Sequence, residues 1–106
     1  MPTVTVDLVF TALADATRRH ILEMLADDGP ASASAIAAQL PISRQAIAKH
    51  LGLLEQAGLV SRSRQGKEIC FVAQSHQLAA TGRWMQRLAT RWEQDAGAGA
   101  TASASA

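Results

Sequence analysis

The chain has one cysteine, no tyrosine, three prolines and only two residues each of phenylalanine and tryptophan. A lone Cys70 makes no internal disulfide, and no basic stretch followed by an apolar leader opens the chain, so a cytoplasmic, unprocessed protein is expected. No apolar run approaches the roughly 20 residues that span a bilayer, which excludes membrane insertion. There is no glycine-rich phosphate loop, no pair of carboxylates in an apolar setting and no Ser-His-Asp or Cys-His grouping, so catalysis and a bound cofactor are not expected. Cys70, His20, His50 and His76 fall at no ligand spacing, and no metal site is expected from them.

What is present is modest in size. The 48% hydrophobic fraction includes 22 alanines, which leaves 29 larger apolar side chains. That core suits one compact domain. The net charge is +1, but it is unevenly spread. Residues 1–28 carry Asp7, Asp15, Glu23, Asp27 and Asp28 against Arg18 and Arg19, whereas residues 43–67 carry Arg44, Lys49, Arg62, Arg64 and Lys67 against Glu55 alone. A basic middle segment in a balanced chain reads as a local surface for an anionic ligand, provided those charges share one face.

Spacing predicts a mainly helical fold with a small β-hairpin, in the order α-α-α-α-β-β-α. Leu8, Val9 and Leu13 mark a first helix. Asp15 caps a second, which buries Ile21, Leu22 and Leu25 and stops at Gly29-Pro30. Ser32 or Ser34 caps a third, with Ile36, Ala37 and Leu40 as its apolar stripe and Pro41 as its end. Only Ile42 separates that break from Ser43, the cap of a helix reaching about Ala57 before Gly58. Two helices joined so tightly cross steeply, as in a helix-turn-helix. From Leu59 to Ala73 the period changes to that of a hairpin, with Gly66 at its turn. Leu78, Trp84, Met85, Leu88 and Trp92 return to helical spacing from Gln77 to about Asp95. The run Ala96–Ala106 contains only Ala, Gly, Ser and Thr and is expected to be a disordered tail, leaving residues 1–95 as the folded domain.

The helix from Ser43 has two faces. Ile47, Leu51 and Leu54 share one, while Gln45, Lys49, Gly52 and Gln56 lie opposite, with Arg44 and Ala46 beside them in the first turn. Arg pairs with guanine O6 and N7, Gln with adenine N6 and N7, and Ala allows close approach or touches a thymine methyl. Arg62, Arg64, Gln65 and Lys67 gather toward the hairpin tip, where they suit the DNA backbone or minor groove. A plain solvated face is the alternative for either element taken alone.

The segments ADATRRHILEML, SASAIAAQLPISRQAIAKHLGLLEQAGLV and SRSRQGKEICFVA resemble the ArsR/SmtB family of dimeric winged-helix repressors over roughly residues 8–74. The tryptophans of the last helix resemble an autorepressor-like subgroup without a metal site. The resemblance implies a homodimeric repressor of an inverted-repeat operator in double-stranded DNA. It implies that Ser43, Arg44, Gln45, Ala46, Lys49 and His50 face DNA and that the wing residues Arg62, Arg64, Gln65 and Lys67 contact the backbone. It also pairs the first and last helices across a two-fold axis, with Val9, Phe10, Trp84, Met85, Leu88 and Trp92 as interface candidates. Where the family often has Ser, this chain has Ala48, so one polar contact is missing. His50 lies at the border of the core face, which leaves a core-edge role open for it. The alternatives are a metal- or redox-responsive repressor of the same fold, with an unidentified effector, and a winged-helix module that binds protein. The polar, basic face of the helix from Ser43 distinguishes the first class from the second.

Overall fold

The structure is a computed structural model that describes residues 6–99, with side chains described for residues 6–95. Its elements run α1 (Val6–Leu13), α2 (Ala16–Asp28), β1 (Ala31–Ser32), α3 (Ala33–Ala37), α4 (Arg44–Gln56), β2 (Val60–Gln65), β3 (Glu68–Ala73) and α5 (His76–Gly99).

Local chemistry accounts for most of the boundaries. Asp15 is extended and its carboxylate accepts the Arg18 N–H at 3.0 Å, capping α2. Ser32 and Ser43 do the same for α3 and α4 through the N–H groups of Ala35 and Ala46, each at 3.1 Å. Each such bond supplies a partner to a first-turn donor that has none inside its helix. α4 closes with Gly58 at φ 74°, where the Leu59 N–H donates to the Leu54 carbonyl at 3.0 Å and the Gly58 N–H to that of Glu55 at 2.9 Å. Leu54 and Leu59 are both fully buried, so the apolar contact that accompanies this type of C-terminal motif is present.

Three boundaries differ from the expectation. α3 ends at Ala37, earlier than Leu40, because Pro41 excludes helical geometry at Leu40 and the last turn tightens, with the Gln39 N–H donating to the Ile36 carbonyl. The hairpin is joined by a third strand. β1 pairs antiparallel with β3, Ala31 against Phe71 and Ser32 against Cys70, so β3 is central. Two residues are too few to show periodicity; pairing alone makes them a strand. α5 continues through Ala96–Gly99, past the boundary expected at Asp95, although two of these four residues are glycines. The rest of the expected tail lies outside the described residues.

One core holds these elements together. Val9, Ala12, Ile21, Leu25, Ile36, Ile47, Leu51, Leu54, Leu59 and Phe71 form a contiguous buried cluster beneath α4 and the sheet. Burial of each large side chain here stabilises the fold by about 1.5–3 kcal/mol. α5 stands apart from this core and packs mainly on α1.

Candidate nucleic-acid interface

α4 separates its side chains as its spacing predicts. Ile47, Leu51 and Leu54 are fully buried, which fixes the rotation of the helix about its axis. Arg44, Gln45, Ala48 and Lys49 are consequently exposed, Ala46 is half-buried, and a side chain at Gly52 would meet nothing within 4 Å. Ser43 itself is exposed and spends its hydroxyl on the cap. The first turn of α4 thus offers a cation, an amide and a small side chain at the positive end of the helix dipole.

The wing turns back through Gln65-Gly66-Lys67-Glu68, where Gly66 has φ 64°, a value that favours glycine. Alternation places Arg62 and Arg64 on one face of β2, opposite Phe71 and Ile69 of β3 in register. Gln65 and Lys67 are exposed at the tip. The helix and wing meet in an open cleft of about 410 Å³ lined by Arg44, Ala48, Arg62, Lys67, Glu68, Ile69 and Phe71, and by residues 32–34. Three of the five cations of the basic segment therefore line one concave surface.

Arg62 has a further engagement. Its Nε donates to both carboxylate oxygens of Glu55, at 3.1 and 3.0 Å, and its guanidinium lies 5.4 Å from the centre of the Phe71 ring. Arg62 thus braces the base of the wing against the last turn of α4, whereas Arg64 has no such tie among the described residues.

His50 sits where the border reading put it. It is half-buried, its Nδ1 is 3.3 Å from Arg18 Nη1 and 4.0 Å from Asp15 Oδ2. The Arg18 backbone N–H holds the Asp15 carboxyl below its ordinary pKa, aided by the charge of Arg18, against the opposing effect of desolvation. Arg18, Asp15, Glu55 and Phe71 were not among the sequence candidates. One signal was available for Arg18: it and Arg19 lie in the first turn of α2, where cations are unfavourable to the helix dipole, so their benefit must lie elsewhere.

Along α1 and α5, an apolar surface is exposed among the described residues. Phe10, Trp84, Met85 and Trp92 are exposed, Trp92 by 71%, and Leu88 is half-buried. Phe10 and Trp84 pack edge to face, ring centres 6.0 Å apart, and so act as one patch. Val9 is a correction. It is 0% exposed, because α1 turns Val9 and Ala12 inward onto the core, and it offers no surface to a partner. Cys70 is buried in β3, opposite Ser63. Among the described residues, no three His, Cys, Asp or Glu side chains are grouped to hold a metal ion, and no helix is long and apolar enough to cross a membrane.

Comparison with known proteins agrees with this geometry. A family model described as a helix-turn-helix domain matches residues 13–62. The chain is 34% identical over 87 residues to the transcriptional repressor SdpR of Bacillus subtilis, covering 82% of this chain and 96% of the relative. It is 39% identical over 85 residues to the HTH-type transcriptional regulator Rv2034 of Mycobacterium tuberculosis, covering 80% and 78%. Among solved structures, an ArsR-like transcriptional regulator from Rhodococcus sp. RHA1 superposes with a TM-score of 0.81 at 42% identity, covering 88% of this chain and 87% of that one.

Proposed function

The chain belongs to the ArsR family of winged helix-turn-helix transcriptional regulators, and from that premise we propose that it is a cytoplasmic, homodimeric repressor of an inverted-repeat operator. The observation that carries this reading is the cleft in which Arg44 of α4 meets Lys67 of the wing, beside the exposed Gln45 and Lys49. Gln45, Arg44 and Lys49 read base edges in the major groove, with Ala46 allowing close approach. Ser43 positions the helix through its cap, and Arg64, Gln65 and Lys67 hold the DNA backbone or minor groove. His50 supports α4 at the border of this surface. The functional unit lies within residues 1–95.

Dimerisation is supported by the apolar patch of exposed Phe10, Trp84, Met85 and Trp92 with half-buried Leu88. A two-fold axis through it sets two α4 helices about one turn of DNA apart, ~34 Å. The test is selection of bound fragments from random duplex DNA by the purified protein, with parallel arms containing added metal ions or oxidant. An enriched inverted repeat with half-sites one helical turn apart is expected. Recovery of unrelated sequences in all arms would overturn the proposal.

A further inference from the structure

α1 ends with a shortage of donors. Past the helix only the Ala14 N–H folds back, to the Thr11 carbonyl at 3.3 Å among the described contacts, and the last turn has no basic residue of its own. The guanidinium of Arg18, on α2, supplies the need: Nε donates to the Ala12 carbonyl at 2.8 Å and Nη2 to that of Thr11 at 3.1 Å, while Arg19 Nη1 donates to Leu13 at 2.7 Å. Here lies the return on placing two cations at the wrong end of α2. Arg18 does not stop at α1. Its Nη1 reaches His50 Nδ1 on α4 at 3.3 Å, and its own N–H is fixed by Asp15. A guanidinium has only donors, so a hydrogen bond between these two groups requires Nδ1 to accept, as it does in the tautomer with its proton on Nε2.

We propose that Arg18 is the positioning residue that locks the recognition helix to the dimer-forming helices, and that His50 is its contact on α4. This rests on the reading of the chain as a dimeric operator-binding protein. α1 carries Phe10 against Trp84 of α5 and packs on α4 through the core, so Arg18 adds a polar tie to the apolar one between the patch that pairs two protomers and the helix that reads DNA. Two donors of the rigid fork seat it on the α1 carbonyls and the third reaches His50, so the place of the α4 contact is set by α1. In a two-fold dimer any rocking appears as an error in the separation of the two α4 helices. Binding sites tolerate departures of only about 0.5 Å or 10–20° from the productive geometry. Operator spacing is therefore the property that Arg18 controls.

The experiment uses the full chain and the operator that it selects, with the half-site spacer lengthened or shortened by one base pair. Arg18→Gln should lose about tenfold in operator affinity, the size of a coupling of roughly 1.4 kcal/mol. It should discriminate less among spacers, while its dimer state and its affinity for unrelated duplex stay as in the wild type. His50→Leu should reproduce this loss of spacer discrimination. His50→Gln, whose amide oxygen accepts from Arg18, should keep the spacer preference, and Arg18→Gln combined with His50→Leu should be no worse than either alone. Equal losses on operator and unrelated DNA, or an unchanged spacer preference in Arg18→Gln and His50→Leu, would overturn the proposal. If Arg18→Gln does not fold, Arg18→Lys, which retains one carbonyl contact at a time, takes its place beside the His50 pair. Long-range proton–nitrogen spectra of the free protein should show His50 Nδ1 unprotonated, in a state that changes on Arg18→Gln. That measurement needs no DNA: a protonated or indifferent Nδ1 overturns the link even where an operator is bound, and failure to select any operator counts against the regulatory reading instead.

Discussion

Removing the Arg62 brace should cost the wing a measurable and salt-dependent part of its attachment to α4. Arg62 Nε lies 3.0 and 3.1 Å from the two Glu55 oxygens, but the side chains are 56% and 35% exposed, so the pair is screened. An exposed pair of this kind contributes about 0.2–1 kcal/mol, and a cation over an aromatic face at a partly exposed site contributes about 0.5–1 kcal/mol. Glu55→Ala removes only the first, for an expected loss of about 0.5 kcal/mol. Arg62→Ala removes both, for about 1 kcal/mol, which in a domain of this size lowers Tm by about 4–8 °C. The assay is thermal and urea unfolding of both single variants and the double variant at low salt and in 1 M NaCl. A coupling of about 0.5 kcal/mol that shrinks in 1 M NaCl, where charges are screened within ~3 Å, is expected. The Phe71 contribution should persist. On DNA, Arg62→Ala should flatten the salt dependence less than Arg64→Ala does, because its Nε is already committed. No coupling, or an Arg62→Ala salt slope as flat as that of Arg64→Ala, would refute the brace.

Trp84→Ala with Trp92→Ala should sediment as a monomer and lose operator affinity; a double variant that stays dimeric would show that α5 is not the interface. Leu51→Ala empties a fully buried site beneath α4 and should cost about 2–5 kcal/mol, with a fall in Tm large enough to read by circular dichroism. Asp15→Asn tests the cap of α2 through pH. Because the folded carboxyl titrates below its ordinary 3.8, its contribution is complete above that value and is lost as pH falls through the lower folded one. The wild type should therefore lose stability across that acid window more steeply than Asp15→Asn, as followed by denaturant midpoints; parallel curves would contradict the assignment.

Features set by neighbours in sequence were legible, and those set across the fold were not. Ser43 and Asp15 were readable as caps because each bonds an amide three residues on. The faces of α4 followed from the spacing of Ile47, Leu51 and Leu54, and the wing turn from Gly66. By contrast, β1 exists only through its pairing with Phe71 and Cys70, and no period of two could announce it. Val9 and Phe10 are adjacent and equally apolar, and only packing against α2 and α4 decides which turns inward. Arg62 read as a phosphate contact because charge and position are visible in sequence, while its tie to Glu55, seven residues earlier, depends on how α4 and β2 meet. The link from Arg18 to His50 spans 32 positions and left only an electrostatic oddity at the start of α2.

The central claim is that α4 reads sequence while the wing supplies charge, and it is tested most directly by measuring affinity for the selected operator and its single-base variants, across salt, for Gln45→Ala and Arg64→Ala. Gln45→Ala should lose about 1–3 kcal/mol of discrimination at one or two base positions with its salt slope unchanged, and Arg64→Ala should weaken every sequence alike with a slope shallower by about 1. Unaltered base preference in the first variant together with an unaltered salt slope in the second would contradict the account.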